Sequence, residues 1–370
     1  MRVLVVNAGS SSLKLSLLGA GEEPVAAREL AAPRSQIDPD ELQAVLDGGL
    51  GDADAVGHRI VHGGSRFRQA VVVDGAVREA LGDLVDLAPL HQPKSLAALD
   101  AVSRALPRVP AVACFDTAFH ATLPDAAATY ALPAEWSARW GVRRYGFHGL
   151  SHAWIARRAP VLLGVAPSER VRIVSCHLGA GASLCAIASG QSIDTTMGFT
   201  PLEGLVMATR SGSVDPGLVL WLLERGDMSL ADMGHALEHE SGLLGLSRTA
   251  DMREVEGRAD AGDTAARLAL DVYLHRLRAG VASMVAALGG LDVLAFTGGV
   301  GERSPKIRAK AAGGLAFLGV GVDAARNEAV GGDGDISSEP ASVRTVVIRA
   351  REDLEIAGQV RSVLEPAGRS

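Results

Sequence analysis

Apolar residues at the start of the chain come in two short runs separated by small polar residues. Residues 3–6 are all apolar, residues 7–12 read Asn-Ala-Gly-Ser-Ser-Ser, and residues 13–18 alternate between apolar and polar. Short runs of this kind, bounded by turn residues, are typical of β-strands. The pattern therefore predicts a strand–turn–strand hairpin, whose small residues leave backbone N–H groups open to a phosphate.

The same pattern returns near the middle of the chain. Residues 171–174 and 184–187 are apolar, and the turn at 177–183 reads His-Leu-Gly-Ala-Gly-Ala-Ser. This weak repeat, at about half the chain length, predicts two similar domains that each offer a small-residue hairpin to one shared cleft. Two unrelated hairpins in an α/β protein are the alternative.

The remaining apolar runs alternate with helical patterns, which indicates an α/β protein. Strands are predicted at 109–115, 293–296 and 343–348, and the clearest helix at 264–288. Asp116 directly follows a predicted strand, the position at which α/β proteins place their chemistry. It could equally be the N-cap of a following turn.

One long segment, residues 194–217, has neither a strand nor a helix period. Its apolar residues argue against disorder, so we predict an ordered functional loop, with a plain surface loop as the alternative. Arg210 is the only cation in this segment, and Arg59 lies between two histidines on another segment. Two such arginines favour convergence on an oxyanion, since the guanidinium fork matches planar anions.

Composition narrows the class of protein. A length of 370 residues favours two domains, and 48% hydrophobic with only 4% aromatic residues predicts an aliphatic core. The net charge of −7 disfavours nucleic acid and anionic membranes as partners. Three cysteines without CxxC spacing fit a reducing compartment. Because no apolar run is long enough for a signal peptide or a membrane span, we expect a soluble cytoplasmic protein.

Two nucleotide-binding motifs are absent, and one metal motif is present. The chain contains neither GxxxxGK[ST] nor GxGxxG, so P-loop and Rossmann proteins lose their main support. His235 to His239 match HxxEH, but this segment is charged and short, which leaves a metalloprotease as the most distant alternative. Small-residue turns after strands, with two arginines and an aspartate, instead indicate phosphoryl transfer, which needs positioning and charge neutralisation.

Taken together, several segments resemble the acetate kinase family of the actin, Hsp70 and sugar kinase fold group. They are, in chain order, NAGSSSLK, GHRIVHGG, PLHQP, FDTAFH, RRYGFHGLSH, HLGAGAS, DTTMGFTPLEGLVMATRSG, SGLLG, DMR and FTGGVGE. The resemblance implies an α/β fold of two similar ribonuclease H-like domains with the active-site cleft between them. It places residues 1–118 and 355–370 in an N-terminal domain and 119–354 in a C-terminal domain that carries a dimer interface.

The resemblance also implies an activity: reversible in-line phosphoryl transfer between ATP and acetate, giving ADP and acetyl phosphate, in a homodimer that uses Mg²⁺ or Mn²⁺. The implied catalytic residues are Arg59, Asp116, His148 and Arg210. The implied substrate residues are Arg59, Val61, Leu90, His91, Phe147 and Pro201, and the implied metal residues are Asn7 and Glu352. The implied nucleotide residues are Ser10, Ser12, Lys14, His177, Leu178, Gly179, Ala180, Gly181, Asp251, Met252, Arg253, Gly299, Val300, Gly301, Glu302 and Arg303.

By the resemblance, the two arginines bind the carboxylate and the moving phosphoryl group, and Asp116 orients or polarises the attacking site. His148 donates a hydrogen bond to the equatorial oxygens of the transition state. The chain departs from the usual family pattern at Ala180, at Gln92, at residues 248–250 and at Arg303. These departures leave a non-catalytic nucleotide-binding relative as one alternative, and a kinase for propionate or another short carboxylate is the other. A hydrophobic pocket separates acetate from propionate by only about 1–3 kcal/mol.

Overall fold

The computed structural model describes residues 1–9, 12–21, 23–32, 37–89, 91–166 and 169–365. These residues form two compact units. The first comprises Met1–Ala121, His148–Trp154 and Arg351–Ser370, and the second comprises Thr122–Phe147 and Ile155–Ala350. The domain boundaries expected at 118 and 355 stay a prediction. No helix in the described residues is long and apolar enough to cross a membrane.

The first unit is built on a six-stranded sheet of order β3-β2-β1-β4-β6-β5. Its strands are β1 (Val3–Ala8), β2 (Ser12–Leu18), β3 (Pro24–Ala31), β4 (Ala55–Ile60), β5 (Val71–Val72) and β6 (Ala111–Phe115). Its helices are α1 (Pro39–Val45), α2 (Gly75–Gly82), α3 (Gln92–Ala105), the start of α6 (Gly149–Leu162) and α15 (Glu352–Leu364). β1, β4 and β6 are parallel, and β1-β2-β3 are antiparallel.

The second unit repeats this plan with the sheet order β11-β12-β10-β7-β8-β9. Its strands are β7 (Arg172–Leu178), β8 (Ala182–Ala188), β9 (Gln191–Thr195), β10 (Val293–Thr297), β11 (Gly334–Asp335) and β12 (Arg344–Val347). Its other helices are α4 (Asp125–Ala128), α5 (Ala134–Trp140), α7 (Pro216–Glu224), α8 (Leu230–His235), α9 (Gly242–Ser247), α10 (Met252–Asp260), α11 (Thr264–Leu288), α12 (Gly298–Arg303), α13 (Pro305–Gly313) and α14 (Ala324–Ala329).

Both sheets thus place an antiparallel three-stranded meander beside two parallel strands. The two predicted hairpins are β1–β2 and β7–β8, with Asn7 opposite Lys14 and His177 opposite Ser183. The predicted α/β fold of two similar halves is confirmed. The glycines that follow β10 form the start of α12.

Burial on both faces explains why β1 is a continuous apolar run. Leu4 and Val6 belong to a core cluster that includes residues of α3, whereas Val3 and Val5 belong to another that includes residues of α15. A central parallel strand covered on both sides needs apolar residues at every position. The edge strand β3 and helix α1 lie at one side of this sheet, and Leu42 of α1 enters the core.

Candidate active site

The first unit joins Arg59 and Asp116 in a buried ion pair. β4 and β6 are parallel neighbours, so Arg59, near the end of β4, lies beside the residue that follows β6. Arg59 Nε donates to both Asp116 carboxylate oxygens at 3.2 and 3.1 Å, and Nη2 donates to Oδ2 at 2.6 Å. Asp116 is 1% exposed, whereas the Arg59 side chain keeps 20% of its surface exposed. The pair therefore presents a cation fixed from behind by a carboxylate.

Asn7 and Glu352 complete this cluster. Asn7 lies on β1, which is the other neighbour of β4, and Glu352 is the first residue of α15. Arg59 Nη1 donates to Asn7 Oδ1 at 3.1 Å and lies 3.8 Å from Glu352 Oε2. Asn7 Nδ2 donates to the same Glu352 oxygen at 3.5 Å. An amide oxygen and a carboxylate are the hard oxygen donors that Mg²⁺ takes, and Mg²⁺ needs few protein ligands since it keeps several waters. The two predicted metal residues thus fit a divalent cation.

The charges of this cluster depend on one another. Burial works against the charged form of Arg59, but the adjacent carboxylates of Asp116 and Glu352 outweigh it and raise the pKa of Arg59. Burial raises the pKa of the Asp116 carboxyl, and the guanidinium opposes that rise. Arg59 therefore carries its positive charge throughout the physiological pH range.

His148 is held at the same edge by its backbone. Gly149 N donates to the Asp116 carbonyl at 2.8 Å, and a Cβ on Gly149 would lie 2.1 Å from that oxygen. His148 itself has a φ of 56°, a left-handed conformation that costs energy for a residue with a side chain. Glycine at 149 thus allows the chain to place His148 next to the Asp116 segment. Such outliers concentrate at functional sites.

The remaining substrate residues are divided between the units. Val61 and His91 lie in the first unit, and Phe147 and Pro201 in the second, with Phe147 buried. The predicted residues Leu90 and Ser10 lie outside the described residues. Gln92, a departure from the family pattern, accepts from His62 N at 3.2 Å and donates to His62 O at 3.1 Å. This pairing orders the backbone that follows Arg59.

The second unit contains a cleft of about 770 Å³ that collects most of the predicted nucleotide residues. Those that line it are Gly179, Ala180, Gly181, Asp251, Met252, Arg253, Gly299, Val300 and Arg303, and Arg210 lines it as well. The hairpin and α12 approach closely, since a Cβ on Gly179 would lie 3.8 Å from Gly299 N. Asp251 caps α10 and pairs with the exposed Arg253, whose side chain lowers the pKa of Asp251 to about 2.

Several of the other predicted nucleotide residues make structural contacts. Leu178 is buried, and Glu302 Oε1 accepts from Gly298 N at 3.0 Å and Ala350 N at 2.9 Å. In the first hairpin, Ser12 Oγ donates to Glu29 Oε1 at 2.6 Å, and Lys14 is exposed on β2. Glu302 thus holds the start of α12 to the segment after β12.

Arg210 is tied to the segment that carries the HxxEH motif. Its Nε lies 3.1 Å from Glu238 Oε2, and its Nη1 donates to Pro201 O at 3.3 Å. The rings of His235 and His239 lie 5.0 Å apart, and the described residues contain no cluster of three or more metal-ligating side chains. The glutamate of the motif therefore pairs with an arginine.

The second unit also contains a polar cluster that the sequence did not predict. Glu203 accepts from Tyr130 OH at 2.5 Å and from Arg144 Nη2 at 2.8 Å, and Phe199 N donates to Tyr130 OH at 2.9 Å. Arg144 Nη1 also donates to Met197 O at 3.1 Å. The cluster fixes the irregular segment that contains Pro201. Arg144 and Glu203 both lie in family motifs, which was the available signal, but Tyr130 lies outside them.

Two similar units, each built on a mixed six-stranded sheet, define the class as an α/β protein of two like halves. The model of the acetokinase family matches residues 40–358. The chain is 40% identical to the acetate kinase of Acetivibrio thermocellus over 96% of this chain and 98% of that protein. The chain therefore belongs to the acetokinase family.

Solved structures agree with this assignment. The crystal structure of Porphyromonas gingivalis acetate kinase superimposes with a TM-score of 0.90 at 35% identity, covering 98% of this chain and 99% of that one. A propionate kinase from Francisella tularensis gives a TM-score of 0.90 at 34% identity, covering 98% and 100%. This chain thus superimposes equally well on a protein named an acetate kinase and on one named a propionate kinase.

Proposed function

We propose that this protein is an acetate kinase, which transfers a phosphoryl group reversibly and in line between ATP and acetate. The observation that carries the proposal is the cleft in the second unit. In a chain of this family, it brings the Gly179–Gly181 hairpin, Arg210 and the predicted adenosine residues of α10 and α12 together. Exposed backbone N–H groups of a small-residue hairpin suit phosphate oxygens.

In the proposed reaction, the first unit would bind the substrate carboxylate and the metal ion. Arg59, fixed by Asp116, would bind an anionic group through its rigid fork, and Asp116 would orient that fork. The attacking carboxylate is already ionised at neutral pH, so it needs no strong general base. Asn7 and Glu352 would hold Mg²⁺ or Mn²⁺, which supplies charge neutralisation on the phosphates when bound.

The second unit would hold the nucleotide. Asp251 and Arg253 would border the base, and Gly299 to Glu302 the adenosine. Arg210 would neutralise charge on the transferring group, since its fork is fixed by Glu238 and Pro201 O. Ser10, Ser12, Lys14 and His177 would contact phosphates, and His148 would donate to the equatorial oxygens of the transition state.

The substrate preference is tested by one panel. Acyl phosphate formed from ATP, Mg²⁺ and acetate, propionate or butyrate is trapped with hydroxylamine, with Arg59→Ala as the inactive control. We expect the highest kcat/KM with acetate. A higher value for propionate would establish the second candidate, which the Francisella tularensis structure favours. ATP binding without transfer to any acid would establish a non-catalytic relative.

We further propose a homodimer in the cytoplasm, with α7 in its interface. No residue of α7 is buried, and Leu218, Leu220 and Trp221 are 47%, 61% and 52% exposed. Apolar side chains this exposed on one helix stabilise a protein only when something covers them. A second copy of this chain fits because an isologous contact would pair the helix with itself.

A further inference from the structure

We propose that Glu238 is a positioning residue that fixes the guanidinium of Arg210 for catalysis. This inference rests on the proposed kinase function, in which Arg210 acts on the transferring group. The Arg210 Nε lies 3.1 Å from Glu238 Oε2, and the two side chains are only 21% and 17% exposed. A half-buried arginine–carboxylate contact restricts the fork to one orientation.

The neighbouring backbone supports the same role. Glu238 lies on a single π-helical turn, Ala236–Glu240, a geometry that occurs often at functional sites. Thr209 Oγ1 donates to Glu238 O at 2.9 Å, and Ser211 N donates to Leu237 O at 3.0 Å. Both residues that flank Arg210 are therefore anchored to the turn that carries Glu238.

Arg210 is anchored from two directions beside the nucleotide cleft. Nε faces Glu238 and Nη1 donates to Pro201 O, while the residue also lines the nucleotide cleft. Glu238 thus neutralises and orients the Nε side of the Arg210 guanidinium, and Arg210 borders the cleft. Loss of the carboxylate would keep the charge of Arg210 but remove the restraint on its Nε side, and a displacement of about 1 Å can cost roughly 100-fold in rate.

The kinetic test compares Glu238→Ala and Glu238→Gln with Glu240→Gln, a change on the same turn whose exposed side chain lies near His235. We expect Glu238→Ala to lower kcat roughly 100-fold while KM for ATP changes less. Glu238→Gln, which keeps an oxygen facing Nε, should retain more activity than Glu238→Ala. Glu240→Gln should resemble the wild type.

A double-mutant cycle separates positioning from a general structural role. Because Glu238 acts through Arg210, Arg210→Ala/Glu238→Ala should be no less active than Arg210→Ala alone. Losses that multiply, or equal kcat for Glu238→Ala and Glu240→Gln, would overturn the proposal.

Hydrogen exchange at Arg210 tests the same role without measuring activity. The Arg210 Nε–H signal, assigned by its loss in Arg210→Lys, should exchange with solvent at least tenfold faster in Glu238→Ala than in wild type. Unchanged exchange would overturn the positioning role. If the wild-type protein made no acyl phosphate, the proposed function would fail, and this measurement would still decide whether Glu238 fixes Arg210.

Discussion

At the scale of single residues, burial decides what an arginine–aspartate pair contributes. Two arginine–aspartate pairs of the first unit differ in how deeply they are buried. Arg59–Asp116 is buried at the aspartate, whereas Arg78–Asp100 is bidentate at 2.7 Å with both side chains 34% exposed. Removing one partner of a buried pair leaves an uncompensated charge, whereas an exposed charge stays solvated.

We therefore expect Asp116→Asn to lower the free energy of unfolding by about 3 kcal/mol, and Asp100→Asn by about 1 kcal/mol or less. Urea unfolding of the two variants at pH 7 measures both values. Equal losses would show that the Arg59 charge is as well solvated as that of Arg78.

His58 makes stability depend on pH. It is buried on β4, neither ring nitrogen has a hydrogen-bond partner among the described residues, and burial lowers its pKa to about 4, against an opposing effect of Asp100. The unfolded chain, with a histidine pKa of about 6.5, therefore binds the proton first. Stability is fully present above pH 6.5 and is lost as the pH falls toward 4.

Replacement of His58 by leucine removes this titration. Between pH 6.5 and 4, the free energy of unfolding of the wild type should fall by as much as about 3 kcal/mol more than that of His58→Leu. Denaturant unfolding at a series of pH values measures the difference. Parallel profiles for the two proteins would contradict this prediction.

At the scale of elements, α12 depends on one glycine. Gly298 has a φ of 78°, and a Cβ there would lie 2.8 Å from Leu178 O, so alanine is both strained and crowded. Gly313, the exposed last residue of α13, has nothing within 4 Å of an added Cβ.

Gly298→Ala should therefore destabilise the protein by about 1–3 kcal/mol, whereas Gly313→Ala should stabilise it by up to about 1 kcal/mol. Thermal unfolding of the two variants distinguishes these signs. A destabilised Gly313→Ala would mean that the exposed end of α13 is more constrained than its surroundings indicate.

At the scale of the whole molecule, the apolar helix α7 predicts the oligomeric state. Leu220→Glu places a charge in the proposed interface and should give a monomer, because an unpaired charge is costly to bury. Leu268→Glu changes an equally exposed leucine, 57% against 61%, on another helix and should leave the mass unchanged. Light scattering after size-exclusion chromatography measures both. A dimer that survives Leu220→Glu would place the interface elsewhere.

Much of the fold was available from the sequence because its signals are local. The runs at 3–6 and 171–174 predicted strands, the glycines and serines after them predicted hairpins, and Asp116 was recognised by its place after a strand. The long irregular segment was also predicted, and no helix or strand lies between Thr195 and Pro216. The resemblance added residue roles, which periodicity alone does not provide.

Only the tertiary structure decided which side chains contact those residues. Glu238 follows Arg210 by 28 positions and Tyr130 precedes Glu203 by 73, so neither contact has a sequence period that could reveal it. The sequence by itself determined the α/β class, the two hairpins, the arginines and the family. Which carboxylate fixes each arginine depended on how distant segments pack, because an ion pair is selected by distance in space and not by separation along the chain.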